Sequence, residues 1–152
     1  MRKFLLPLAA SMVLATPALA NEARLEARGG VFWTDGYTQG TAGIAAGYDV
    51  DLGSQGFVGA EVSGDKILDG GTKVAFGFTG RAGAKLGAGK LYADGGYTTE
   101  PCDVCDGSWH LGAGYEHGFG NRLYGKVAYR HYFVKNNQPD SNAVTAGLGV
   151  RF

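Results

Sequence analysis

Two cysteines, three histidines and several loop aspartates are the side chains of this 152-residue sequence whose types could support chemistry. Cys102 and Cys105 sit in Glu100-Pro101-Cys102-Asp103-Val104-Cys105-Asp106, a spacing that suits a local disulfide, a redox-active dithiol or half of a zinc site. Redox activity needs a thiolate stabilised by a helix N-terminus or a neighbouring cation, and here the neighbours Asp103 and Asp106 oppose that charge. Zinc takes four ligands, and no histidine pair stands close by. A disulfide across the tip of a loop is therefore the expectation. His110, His117 and His131 do not form a constellation. Ser108 lies two residues from His110, a fragment of a Ser-His-acid relay, but both fall on the charged face of their stretch. Asp65, Asp69, Asp106 and Asp140 could meet divalent cations, although solvated loop charge is the ordinary role of such residues. No catalytic, cofactor-binding or metal-binding set emerges.

The remaining ionic residues only make sense once the elements that carry them are identified. A period of two marks a strand with one apolar face, and the chain shows it eight times, over residues 23–33, 41–51, 56–63, 73–86, 90–98, 108–116, 122–132 and 142–152. One face repeats aliphatic and aromatic residues, such as Leu25, Val31 and Trp33 at the start and Val144, Leu148, Val150 and Phe152 at the end, and holds no Asp, Glu, Lys or Arg. The opposite face carries Arg28, Asp49, Glu61, Arg81, Asp94, Glu116, Lys126 and Arg130. Antiparallel pairing across the 87–89 turn brings Arg81 near Asp94, pairing across 118–121 brings Glu116 near Lys126, and the first hairpin lets Arg28 approach Asp49. Eight strands closing on themselves leave an interior just wide enough for side chains to fill. The expected fold is all-β, an eight-stranded antiparallel up-and-down transmembrane barrel. Its lumen should be plugged by an ion-pair network, with no continuous water path.

The ends of the chain speak to location. Arg2 and Lys3 precede an apolar run from Phe4 to about Ala15 and then Ala18-Leu19-Ala20, the pattern of a secretory signal peptide cleaved after Ala20. Pro7 and the shortness of the run argue against a membrane anchor, which needs about 20 apolar residues. Residues 21–152 then form one domain. The chain has 14 basic and 14 acidic residues, or 12 against 14 without Arg2 and Lys3, so it lacks the basic surplus of a nucleic-acid binder. No second run of about 18 apolar residues exists, which excludes a helical membrane protein, whereas a closed cylinder of strands can still span a bilayer. With the N-terminus on the periplasmic side, Trp33, Tyr97, Trp109 and Tyr129 fall toward the outer rim. Tyr48, Phe57, Tyr115 and Phe152 fall toward the inner one, giving the two aromatic belts of a membrane barrel.

These features, with the segments Gly56-Phe57-Val58-Gly59-Ala60-Glu61, Trp109-His110-Leu111-Gly112-Ala113-Gly114-Tyr115-Glu116 and Gly147-Leu148-Gly149-Val150-Arg151-Phe152, resemble the opacity-type outer-membrane proteins and the OmpA/OmpX-like small barrels. The resemblance covers essentially the whole mature chain. It implies a Gram-negative outer-membrane location and a monomer without cofactor or enzymatic activity. The implied partners are outer-membrane lipid, lipopolysaccharide and the barrel-assembly machinery, which would read Phe152 as an insertion signal. It also implies a role in envelope structure or surface interaction. The outer loops are shorter than those of adhesive members, and no peptidoglycan-gripping domain is expected after Phe152. Barrel-shaped lipid A hydrolases carry their His, Ser and acid on the lipid face, where Ser108 and His110 do not fall. Two competing readings are a soluble exported barrel holding a ligand in the manner of lipocalins, which needs an apolar interior, and a narrow channel.

Overall fold

Alternation of apolar and charged residues makes every strand two-faced, and the strands resolve this by rolling the charged face inward. The computed structural model describes residues 21–134 and 139–152; the signal-peptide expectation for residues 1–20 lies outside the described residues. The strands are β1 (Asn21–Thr34), β2 (Tyr37–Leu52), β3 (Gly56–Ile67), β4 (Ala75–Leu86), β5 (Gly89–Thr98), β6 (Ser108–Phe119), β7 (Leu123–Val134) and β8 (Ser141–Arg151). Each runs antiparallel to its neighbours, and the sheet is a closed barrel in sequence order. β8 returns to β1 in register from Arg24↔Arg151 to Trp33↔Asn142. Closure leaves no unpaired strand edge, which is the condition for a sheet to sit in hydrocarbon.

The outward face carries Leu25, Ile44, Phe76, Phe78, Leu111, Val127 and Leu148, all exposed, while Asp49, Glu61, Arg81 and Glu116 are buried within. This inverts the usual distribution of a water-soluble domain. At one end, here called the turn end, reversals centred on Gly53, Gly87 and Gly120 join the strands. Their φ values of 71°, 62° and 80° lie in the left-handed region that favours glycine. The opposite, loop end holds the Asp35-Gly36 turn and three longer connections.

Several strands exceed the spans that hydrophobic alternation marks. β2 begins at Tyr37 rather than at residue 41, and β3 continues to Ile67 rather than stopping at residue 63, so β5, with 10 residues, is the shortest. The extra residues, Tyr37 to Gly40 and Gly64 to Ile67, are polar or glycine except Ile67, and show no repeating apolar face. They are held by ladder hydrogen bonds to partners such as Thr34↔Tyr37 and Thr41↔Ile67. β6 likewise runs to Phe119 rather than stopping at residue 116, and so takes in His117.

Candidate functional site

Glycines decide which charges meet in the lumen. In a closed sheet, the residue flanked by two ionic side chains on either neighbouring strand must be small enough for them to touch above it. Arg24 and Glu61 flank Gly47 and bond at 2.9 Å. Arg28 and Asp65 flank Gly43 and form a two-pronged contact, 2.8 and 2.6 Å. Asp49 and Arg81 flank Gly59 and form another, through Nε at 2.9 Å and through Nη2. Asp94 and Arg130 flank Gly112 and meet at 3.0 Å. A Cβ on Gly59 would lie 2.2 Å from Asp49 Oδ1, and one on Gly47 would lie 2.5 Å from Arg24 Nη2.

Glu61 is the hub of the loop-ward half of this network. Its carboxylate accepts from Arg24 at 2.9 Å, Arg28 at 2.9 Å, Arg130 at 3.1 Å and Lys126 at 3.4 Å, and Lys126 also meets Glu26 at 2.7 Å. The turn-ward half centres on Arg81, which bonds Asp49 and, at 3.1 Å, Glu116. Lys90 bridges Asp49 and Glu22, and Arg151 bridges Glu22 and Glu116. Lys85 pairs with Asp51 below. Aromatic rings seal this half. Tyr92 and Phe57 stand 4.8 and 5.2 Å from the Arg81 guanidinium carbon, and Tyr124 stands 5.2 Å from that of Arg151.

All eight residues expected in the network line the lumen, but the partners differ from those expected across hairpins. Arg81↔Asp94 and Glu116↔Lys126 are register partners, yet none of these side chains bonds its register partner; Arg28 sits opposite Gly43, six residues along β2 from Asp49. Strand tilt and the intervening glycines favour reach across two strands over reach across one. Arg24, Glu26, Lys90 and Arg151 belong to the same network and were not singled out, although the first three share strand parity with a residue that was, and Arg151 has the parity opposite to the apolar face of β8. Asp65, expected as loop charge, is an inward residue of β3 paired with Arg28. Phe57, expected in an aromatic belt, is 1% exposed and faces the lumen, as the parity of Glu61 requires. The belts otherwise show Trp33 beside Tyr129 and Tyr97 beside Trp109 at the loop end, with Tyr48, Tyr115, Phe119 and Phe152 exposed toward the turn end.

Above the Glu61 hub the lumen opens into a vestibule of about 610 Å³, so the side-chain plug does not extend to the loop end. Its walls carry small or hydroxylated residues, including Thr41, Ser108, Ser141 and Ala143, which are too short to meet across the barrel. His110 lies beneath, 1% exposed, with Nε2 hydrogen bonded to Thr79 and Nδ1 to Thr98, both at 3.1 Å. Both ring nitrogens are thus engaged by threonines, and no relay to Ser108 forms. Cys102 and Cys105 are disulfide-bonded in a loop lining the mouth. That loop is held to the β3–β4 connection by Lys73 N–H donating to Pro101 O at 2.8 Å and Lys73 Nζ donating to Asp103 at 3.2 Å. The bond to Asp103, aided by Glu100, raises the Lys73 ammonium above the usual lysine range. Phe152 is exposed and pairs through its backbone with Ala23.

A family model described as an outer membrane protein beta-barrel domain matches residues 6–152. Among solved structures, the N-terminal β-barrel domain of Pseudomonas aeruginosa OprF is similar at 16% identity, covering 86% of this chain and 97% of that one with a TM-score of 0.57. Neisserial surface protein A aligns at 10% identity over 87% and 97% of the two chains, TM-score 0.55. Ail of Yersinia pestis, solved with the heparin analogue sucrose octasulfate, aligns at 14% identity over 87% and 97%, TM-score 0.53. At these identities the likeness concerns the fold. No curated protein sequence matches the chain.

Proposed function

The chain belongs to the outer-membrane β-barrel domain family, and on that premise we propose that it serves as a non-conducting structural element of the bacterial outer membrane whose loop end meets the surroundings. The observation that carries this reading is the neutral filling of the lumen. Among the described residues, eight cations (Arg24, Arg28, Arg81, Lys85, Lys90, Lys126, Arg130, Arg151) are paired there with eight anions (Glu22, Glu26, Asp49, Asp51, Glu61, Asp65, Asp94, Glu116). Asp49 and Glu116 are fully buried at its centre. Moving an ion through such a layer means breaking several desolvated pairs together, each costly to separate.

The same filling argues against a lipocalin-like carrier, because the apolar surface is on the outside and the charge within. It gives no support to a lipid-face hydrolase, since His110 is internal and held by threonines. Export through a signal peptide over residues 1–20 and an outward-facing loop end complete the reading. A sulfated ligand such as the one bound to Ail finds the wrong charge here. The described loop end bears Asp35, Asp69, Glu100, Asp103, Asp106 and Asp140 against Lys66 and Lys73, which repels polyanions.

Planar-bilayer recording tests the proposal. The purified barrel should show no sustained conductance, and its native form should migrate differently from its boiled form on a gel and fractionate with outer membranes. A steady conductance altered by Arg81→Ala or Glu116→Ala would overturn the closed-lumen reading, and recovery in the periplasmic extract would overturn the membrane location.

A further inference from the structure

We propose that the loop-end vestibule is a binding site for a small organic cation, an ammonium group attached to an apolar or aromatic body. The inference goes beyond the closed-lumen reading and is independent of which side of the membrane the mouth faces. Three observations carry it. The first is size: about 610 Å³ of open volume falls within the range of pockets that hold small molecules. The second is an aromatic wall. Phe32 of β1 and Tyr132 of β7 line the cavity with ring centroids 6.2 Å apart, joined over the small Ala143 of β8, which is register partner to Phe32. Ring faces in a partly desolvated cup attract cations.

The third observation is the sign of the field. At the base, Arg28 is already bonded to Asp65 and Glu61, and Arg130 to Asp94 and Glu61, so neither offers surplus positive charge. The Asp65 side chain stays 26% exposed where it lines the cavity. Asp69, Asp103 and Asp106 line the mouth. Asp69 accepts from the Tyr37 hydroxyl at 2.6 Å, and among the described residues Asp103 meets the exposed Lys73 across the mouth. A cleft lined by one sign of charge over low-dielectric walls concentrates ions of the other sign. An organic cation satisfies wall and rim together, whereas an organic anion meets the same wall against a repelling rim.

The test uses the barrel in lipid nanodiscs, with amide NMR following titration by phenyltrimethylammonium and separately by 3-phenylpropionate. Saturable shifts at Phe32, Tyr132 and Ala143 are expected with the cation, and the anion should bind about tenfold or more weakly, a ratio in keeping with one cation–π contact and a screened charge. Phe32→Leu, which keeps the bulk and removes the ring, and Asp69→Asn combined with Asp103→Asn, both in the exposed rim, should each weaken the cation several-fold and leave the anion unaffected or improved. Unchanged amide positions on the strands show that the variants fold. Equal binding of the two probes, non-saturable shifts, or shifts confined to the membrane-facing aromatic belts would each overturn the proposal.

Discussion

At the scale of single residues, space beside a glycine is worth as much as the charge it lets through. Gly59→Ala would push a methyl group into the Asp49 carboxylate at the centre of the plug. Overpacking of that kind costs about 1–3 kcal/mol. Gly80→Ala on the outward face, where the nearest atom is 3.8 Å away, should be close to neutral. Urea unfolding in a bilayer mimetic, followed by the fluorescence of Trp33 and Trp109, compares the two. Glu61→Leu is the sharper case, because it removes the carboxylate shared by Arg24, Arg28, Lys126 and Arg130. Breaking buried pairs from one side costs about 3–5 kcal/mol, and the same unfolding measurement should show a loss in that range. The eight expected network members were legible from strand parity. Their partners were not, since a glycine reads as an absence until register sets it between two charges.

At the scale of elements, the strands and the loops answer to different constraints. A strand must keep its outward face apolar where it crosses the hydrocarbon. Leu148 of β8 is exposed midway between Asn142 at the loop end and Phe152 at the turn end. Leu148→Arg should therefore cost about 2–4 kcal/mol if it lies at mid-bilayer, and a neutral result would mean that the faces have been exchanged. The Cys102–Cys105 loop has no such duty. Replacing both cysteines by serine should leave the unfolding transition of the barrel in place. Hydrogen exchange should nonetheless quicken at 99–107 and at the Lys73 amide, which is bonded to Pro101; exchange that quickens throughout the strands would show that the loop staples the whole barrel. Periodicity located all eight strands because burial on one face repeats every second residue. It missed the outer ends of β2 and β3, where both faces meet water and alternation carries no signal.

At the scale of the whole molecule, closure and charge balance are one property. Eight strands enclose a narrow cylinder, so each inward side chain must be matched by others reaching from across it. The match is collective: Glu61 answers four cations and Asp49 three, so removing one charge disturbs contacts on several strands at once. Unfolding should accordingly be a single transition, and circular dichroism and tryptophan fluorescence should report coincident midpoints; separated midpoints would mean that the plug and the wall come apart independently. The amino-acid sequence by itself determined the two-faced strands, their number and order, and which residues point inward, because those follow from local alternation and from turn-forming residues between the stretches. Only the tertiary structure decided which charges touch, that β3 runs far enough to pair Asp65 with Arg28, and that a hollow remains above Glu61. Each of these depends on how far neighbouring strands slide past one another before the cylinder closes, and that stagger is a long-range quantity that no short window of residues contains.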